Sequence, residues 1–572
     1  MKNPLILFLL IPFYSFCTPH FLTIDPQADT VAKFNKFEIR LHFNADYINP
    51  YDPDEIKLDA VFTSPSGEHW KIPGFYNYSS WRNTWMVRFS PNEPGTWKYQ
   101  LSVEDRDSLL LDSIRSFVCV ESPLHGPIRV SENQRYLEYA DGTPFYGVGF
   151  WYNDSYAAFN EGNITEENLD ALKDLGLNFI STYITPLETL GSGLGRYDQN
   201  LCGRLDEVLE MCEEKELILS LNLWFHAYLS ETVWPGGNRR WHTNPYRVIC
   251  DARDFYRNKL AWDYQEKLYR YFIARWGYSR SMGIWFIVDE VNGTDGWVSG
   301  DSLIAAEWGQ KVHDYFKQHD PYGHLTTGTR SGGIREYWHE GYQIFDLASR
   351  EIYEAQGFPI IREGDIDSSD THPLRFSYLN YAGEISKLWN NYPKPAIIGE
   401  TGWNHTFYEP TMPGYLAQFH NALWVTMANG SAMTPFWWAF SGFMNDVIVS
   451  NQMRSISRFK EAIPWNTLTN VHVVDSISGG LDAFAMTSDQ MIYGWVVNPE
   501  TDVSSELVRI SDQLPGRYRL KIFHTWSGRW ISEEELNSQG NMIVFKIPNL
   551  RIEGGRAQYV GQDVAFILER LN

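Results

Sequence analysis

The sequence predicts an α/β protein, a (β/α)8 barrel flanked by an N-terminal and a C-terminal β-sandwich. Three observations predict it. Residues 20–122 show strand-like alternation broken by turns, residues 130–465 alternate short apolar runs with amphipathic helices, and residues 466–572 return to strands. With 572 residues the chain exceeds one compact core, so several domains of roughly 150 residues each are expected.

The elements follow in chain order. Lys2 gives a short positive start, Pro4 to Phe16 is almost wholly apolar, and the chain then turns polar. That core is too short to span a bilayer and reads as a signal peptide over 1–17, so a secreted or periplasmic location is expected. Cys17 also invites attachment to the outer surface as a lipoprotein, a reading ranked second because the preceding Phe16 is bulky where a small residue is usual. No later segment is long and apolar enough to cross a membrane.

In the N-terminal region, strands are expected at 37–43, 58–62, 85–89 and 96–101. Pro65-Ser-Gly67 and Pro91-Asn-Glu-Pro-Gly95 supply turns between them. The central region offers strands at 145–150, 178–184, 218–224, 283–288, 325–329, 347–352, 396–399 and 432–438. Helices are expected between them at 165–175, 204–216, 257–276, 303–318, 375–391 and 415–428. Thr165-Glu-Glu-Asn opens the first helix with a capping-type start. Eight strands alternating with helices fit a (β/α)8 barrel. A doubly wound sheet is the alternative, but no glycine-rich phosphate loop follows the first strand. The closing region has strands at 471–474, 491–497, 518–523, 542–545 and 564–568.

Composition narrows the function. The net charge of −23 would repel nucleic acid over most of the surface. Aromatic residues reach 16% of the chain, which favours carbohydrate stacking as well as large cores. Besides Cys17 there are Cys119, Cys202, Cys212 and Cys250, with no metal-type CxxC pair. Cys202 and Cys212, ten residues apart on one expected helix, would lie roughly 15 Å apart, beyond disulfide reach. They read as free thiols.

In a barrel of this type, reactive groups sit at the C-terminal ends of the strands. The fourth strand, Ile284-Trp-Phe-Ile-Val288, runs into Asp289 and Glu290, and the seventh, Ala396-Ile-Ile-Gly399, runs into Glu400. Strands four and seven face each other across the mouth. A facing carboxyl pair is what glycoside hydrolysis needs, one to protonate the departing oxygen and one to attack or support the oxocarbenium-like centre. Either glutamate alone could be a rim partner for an arginine. Two of them, with Trp403 and Trp438 near the same face, favour the catalytic reading. After strand three, the segment from Tyr228 to Asp254 carries Arg239, Arg240, Arg247 and Arg253 among aromatic residues. These arginines could recognise uronate or sulfate groups, or simply neutralise local acids. Asp52, Asp54 and Glu55 form an acidic loop that reads as solvated rather than as a calcium site.

The stretch Tyr269-Arg-Tyr-Phe-Ile-Ala-Arg-Trp-Gly277, followed by Gly283-Ile-Trp-Phe-Ile-Val-Asp-Glu-Val291, resembles clan A glycoside hydrolases with family 5-like barrels. Trp241-His-Thr-Asn-Pro-Tyr246 and Ile398-Gly-Glu-Thr-Gly402 fit the same pattern. The segments Asn49-Pro-Tyr-Asp-Pro53 and Pro94-Gly-Thr-Trp97 are similar to an uncharacterised sandwich module that often precedes such barrels. The resemblance implies Glu290 as general acid/base and Glu400 as nucleophile. It further implies Tyr353 as a hydrogen-bond donor to that nucleophile, His226 as a lining residue, and Trp438 as a sugar platform. Tyr353 and His226 could instead be ordinary rim residues. One departure stands out: the clan usually carries Asn before the acid/base, to hold the sugar 2-hydroxyl, and this chain has Asp289. An ionised Asp accepts but does not donate, and it raises the pKa of a neighbouring acid. Asp289 is therefore expected to bind substrate.

The expected function is a retaining glycoside hydrolase acting on β-glycosidic bonds of a plant or algal polysaccharide or its oligosaccharides. The catalytic residues are Glu290 and Glu400, and the substrate-binding residues are Asp289, His226, Tyr353, Trp403 and Trp438. No metal or organic cofactor is expected, nor nucleic acid as a partner. The alternatives are a non-catalytic glycan-binding protein on a decayed barrel, favoured only by Asp289, and a transglycosylase, which uses the same residues.

Overall fold

The computed structural model describes residues 19–79, 82–152, 164–300, 302–331, 337–354, 373–403, 413–439, 445–474, 476–479, 481–498, 507–511, 513, 515–548 and 562–571. The expected signal peptide and Cys17 lie outside the described residues. The chain divides into two compact units, Met1–Ser122 with Arg270–Arg275, and Pro123–Tyr269 with Trp276–Asn572.

Two sheets make up the first unit. One contains His20–Pro26, Phe37–Asn44, Arg82–Phe89 and Phe75–Ser79; the other contains Thr30–Ala32, Arg115–Val120, Gly95–Asp105, Ile56–Thr63 and His69–Pro73, with Leu109–Leu111 added at Gly95–Asp105. Alternation along Phe37–Asn44 and Gly95–Asp105 sends every second side chain inward. The inner faces meet through aromatic rings: Phe37 stacks on Phe117 at 3.9 Å, and Phe62 on Phe89 at 4.1 Å. The Asp52 and Glu55 carboxylates are engaged in the loop's own backbone. Asp52 accepts from Asp54 N–H, and Glu55 accepts from Ile48 and Asn49 N–H.

The second unit is mixed α/β. It opens with a small antiparallel sheet of Ile128–Val130, Leu137–Tyr139 and Pro144–Phe145. Phe145 therefore belongs to this sheet, and the first parallel strand is Gly149–Tyr152, later than the expected 145–150. Seven further parallel strands follow: Phe179–Tyr183, Ile218–Trp224, Met282–Val288, Leu325–Gly328, Ala348–Glu354, Ala396–Trp403 and Trp438–Ala439. Strands one to five and eight form one sheet in sequential order, and six pairs with seven. Backbone hydrogen bonds bridge both seams. Leu347 donates to Thr326 O and Glu351 to Arg330 O, each at 3.3 Å, while Phe436 donates to Ile398 O and Thr401 to Phe436 O, each at 3.0 Å. The order runs round without reversal, unlike a doubly wound sheet.

The third and fourth strands are buried along their whole length; the fourth reads as an unbroken apolar run, whereas the third carries the buried polar residues Ser220 and Asn222. Helices Glu166–Asp174, Gln199–Lys215, Lys259–Trp276, Ser302–His319, Pro373–Asn391 and Pro413–Met427 alternate with the parallel strands. Thr165 and Asp198 cap the first two through their side chains. Val447–Lys460, capped by Asp446, was not anticipated.

Beyond that helix, one sheet of six strands and one of three pack around Val496, Ile522, Phe545 and Phe566. Asp563, on the closing strand Gln562–Leu571, is fully buried and accepts from His420 Nε2 at 2.9 Å, on helix Pro413–Met427. It also accepts from Trp495 Nε1 at 2.6 Å, Trp526 Nε1 at 2.7 Å and Thr525 Oγ1 at 2.6 Å. This charge-assisted hub ties the C-terminal strands to the helical layer. Cys202 and Cys212 are free thiols, as expected, and so are Cys119 and Cys250. No helix among the described residues is long and apolar enough to cross a membrane.

Candidate active site

The C-terminal ends of the parallel strands converge on one cavity of about 420 Å³, lined by Phe225, His226, Trp234, Asn238, Asp289, Glu290, Ser331, Tyr353, Glu400 and Trp438. Five of the residues singled out in the sequence besides Glu290 are thus brought together with it: Glu400, Asp289, His226, Tyr353 and Trp438. The side chain of Trp403 lies outside the described residues.

Strand four ends at Val288, and the next two residues turn into the mouth. Asp289 is buried, and its Oδ1 accepts the backbone N–H of His226 at 2.9 Å. Glu290 adopts a left-handed backbone, φ 41° and ψ 50°, which a non-glycine residue holds at a cost of order 1–3 kcal/mol. Its N–H is held by Thr329 Oγ1 at 3.1 Å and by Glu351 Oε1 at 3.4 Å. His226 begins the 3-10 turn after strand three, and its Nδ1 lies 3.2 Å from Glu290 Oε2 and 3.6 Å from Asp289 Oδ2. Burial opposes a charged imidazole here, but Glu290 and Asp289 outweigh it and raise the His226 pKa above its ordinary value.

On strands six and seven, the pairing sets Glu351 beside Glu400 and Tyr353 beside Gly402. Parallel neighbours in register point to the same face, so Glu351 and Glu400 share the interior. The Tyr353 hydroxyl donates to Glu400 Oε1. Burial, then the charges of Glu290 and Asp289, push Glu400 well above the usual carboxylate range, and the Tyr353 hydrogen bond works in the opposite direction. Glu351 is raised well above that range by burial and then by Glu400, Glu290 and Asp289.

Glu351 was missed in the sequence although it stands two residues before Tyr353, on the same strand face. One ligand oxygen from each of Glu290, Glu351 and Glu400 lies within 4.8 Å of the others. A hard cation favours all-oxygen surroundings of this kind; protonation relieves the same repulsion without one. Trp234, Asn238, Phe225 and Ser331 also escaped notice as lining residues. Trp234 packs edge-on to His226 at 5.2 Å, and a side chain at Gly293 would collide with its ring.

The arginines after strand three are not among the cavity's lining residues. Arg240 donates to Gly237 O and lies over Tyr228, Arg247 donates to His242 O, and Arg253 pairs with Asp251 and Asp254. Of the four, Arg253 neutralises local acids, while Arg240 and Arg247 donate to backbone carbonyls of their own loop.

Comparison with known proteins agrees at the level of fold. A candidate glycoside hydrolase from Bacteroides vulgatus ATCC 8482 superposes with TM-score 0.63 at 17% identity, over 95% of this chain and 100% of its own. A structure described as a glycoside hydrolase gives 0.51 at 15% identity, over 78% of this chain and 97% of its own. A glycoside hydrolase family 5 structure from the same Bacteroides strain gives 0.51 at 13%, over 78% and 94%. Residues 30–104 match a domain of unknown function, DUF5060. No curated protein sequence matches the chain.

Proposed function

We propose that this chain is a retaining glycoside hydrolase built on a (β/α)8 barrel, acting on β-glycosidic bonds of a plant or algal polysaccharide or its oligosaccharides. The flanking β-sandwiches are its supports, and the signal peptide over 1–17 directs it to a secreted or periplasmic location. The observation that carries this reading is the close approach of Glu290 and Glu400 at facing strand ends, one oxygen of each within 4.8 Å, in a cavity walled by Trp234 and Trp438. Carboxyl groups about 5–5.5 Å apart belong to double displacement, whereas inversion needs room for a water between them.

In this mechanism Glu290 delivers its proton to the glycosidic oxygen as that bond breaks, and Glu400 attacks the anomeric carbon to form a glycosyl ester. Glu290, now ionised, takes a proton from water. The water oxygen attacks the anomeric carbon, the ester breaks, and Glu400 leaves as a carboxylate. Tyr353 supports the ionised form of Glu400, and His226 borders Glu290. Both carboxyls belong to the chain, so the steps call for no cofactor.

The test incubates mature protein and Glu400→Ala with neutral, uronic and sulfated polysaccharides and resolves the released sugars. Product from wild type and none from the variant is expected. Glycan retention without release by either would favour a binding protein instead.

A further inference from the structure

The proposed reaction uses two carboxyls, yet the structure buries a third beside them. Glu351 is wholly inaccessible and does not line the cavity, so it acts from beneath the floor. Its Oε1 accepts from the Thr329 hydroxyl and from Glu290 N–H. Because Thr329 Oγ1 also accepts that N–H, the carboxyl, the hydroxyl and the acid/base backbone form one closed group. The backbone so held is the left-handed turn that aims Glu290 into the cavity. Glu351 Oε2 is buried and has no hydrogen-bond partner among the described residues.

We propose that Glu351 is a positioning residue of this reaction: its uncharged carboxyl clamps the Glu290 backbone and keeps a third negative charge away from Glu290 and Glu400. This rests on reading those two glutamates as the reacting pair. The division of labour follows from the two oxygens. Oε1 already accepts two hydrogen bonds, as a carbonyl oxygen does, and the proton belongs on Oε2, which accepts none. An ionised carboxyl there would be a buried anion with one oxygen unsatisfied, near two further carboxylates. The ionisable groups around it are Glu400 from strand seven, Glu290 and Asp289 from strand four, Tyr353 on its own strand and Tyr342 from helix His339–Ile344. These are acids, and burial with the carboxylate charges favours the protonated carboxyl; Arg350, next in sequence, points to the opposite face, donates to the Glu351 backbone carbonyl and is paired with Glu384.

The test compares Glu351→Gln and Glu351→Leu with wild type. Gln keeps an acceptor and a donor but never ionises, and Leu keeps neither. For Gln, kcat is expected to stay within about fivefold of wild type and both limbs of the pH profile of kcat/KM to stay in place. For Leu, kcat is expected to fall about 100-fold with KM little changed and the melting temperature retained, because the acid/base loses its aim. A fully active Leu variant overturns the clamp. A Gln variant as weak as Leu overturns the uncharged role, as does one whose limbs move about one pH unit toward acid, since that means an anion was removed. Infrared difference spectra of wild type against Glu351→Gln at neutral pH need no turnover. A protonated-carboxyl band present only in wild type is expected, and its absence overturns the proposal even if no glycan is cleaved. Failure of wild type to cleave any glycan, with that band present, would instead count against the glycosidase reading beneath it.

Discussion

Replacing Tyr353 by Phe removes one oxygen from the floor of the cavity and leaves the ring. The hydroxyl donates to Glu400 Oε1, with both residues only 5% exposed. A hydrogen bond to a charged group contributes about 1.5–3 kcal/mol net. Since one pKa unit corresponds to about 1.36 kcal/mol, the bond lowers the Glu400 pKa by about 1–2 units relative to a pocket without it. The sign is fixed by which form the bond favours. The phenol donates to the ionised carboxylate, so its loss makes ionisation harder and raises the Glu400 pKa. A nucleophile must be ionised to attack, so the acid limb of kcat/KM moves to higher pH by about 1–2 units in Tyr353→Phe. The assay is a pH–rate profile on a substrate found in the product screen, with thermal melting to confirm an intact fold. An acid limb that stays in place, or moves to lower pH, would refute the assignment of Tyr353 and Glu400 as donor and nucleophile.

Three more outcomes are expected. Asp289→Asn keeps an oxygen for the His226 N–H but removes one of the two charges that hold the imidazole pKa up, so an NMR titration should find His226 titrating at lower pH; an unmoved midpoint contradicts the pairing. Asp563→Ala leaves three buried donors and the half-buried Trp526 without the carboxylate and should cost about 3–5 kcal/mol in chemical unfolding, a loss under 1 kcal/mol being incompatible with the hub. Burial alone would raise the Asp563 pKa, but His420 and the hydrogen bonds outweigh it and lower it. Its contribution is therefore complete above the unfolded carboxylate value of about 3.9 and fades as pH falls through the lower folded value, so Asp563→Asn should flatten that acid-side loss of stability. Charge inversion of Arg239 and Arg240 should leave cleavage rates on neutral and uronic glycans unchanged, because neither side chain lines the described cavity; a selective loss on uronic glycans would restore the anion-recognition reading.

Glu290 and Glu400 were legible because each follows a run of apolar residues whose burial is continuous, and the strand end then marks the mouth. The same rule hid Glu351. Strand six reads Ala-Ser-Arg-Glu-Ile-Tyr-Glu, and Arg350 and Glu351 are both fully buried although they point to opposite faces. Arg350 finds Glu384 on helix Pro373–Asn391, and Glu351 finds Thr329 just past the end of the preceding strand, so each charge is accommodated by a partner distant in sequence. Edge strands escaped for a simpler reason. Arg529–Ser538 is exposed along most of its length and carries Glu533, Glu534 and Glu535, so its pairing with Gly516–His524 leaves no apolar alternation to read. Helix Gln199–Lys215 was expected to start five residues later, at Arg204, because the cap at Asp198 rather than the apolar pattern sets the boundary.

The charge balance of the cavity joins these observations. The protein is strongly acidic overall, and the pocket concentrates that tendency: Asp289, Glu290 and Glu400 line it, Glu351 lies beneath, and His226 is the only basic side chain among its described lining residues. Four carboxyls so close cannot all ionise, because each added charge raises the cost of the next. The working state is therefore defined by which groups keep protons. Tyr353 favours the ionised form of Glu400 by donating to it, against the burial and neighbouring charges that raise its pKa. The unpartnered oxygen of Glu351 selects that residue to stay neutral. Asp289 is drawn toward His226, whose raised pKa makes it the local counter-charge. Glu290 is the most accessible of the four carboxyls, at 15% side-chain exposure. An acid/base catalyst requires that access, and in the proposed reading Asp289 helps hold a charged His226 imidazole beside Glu290.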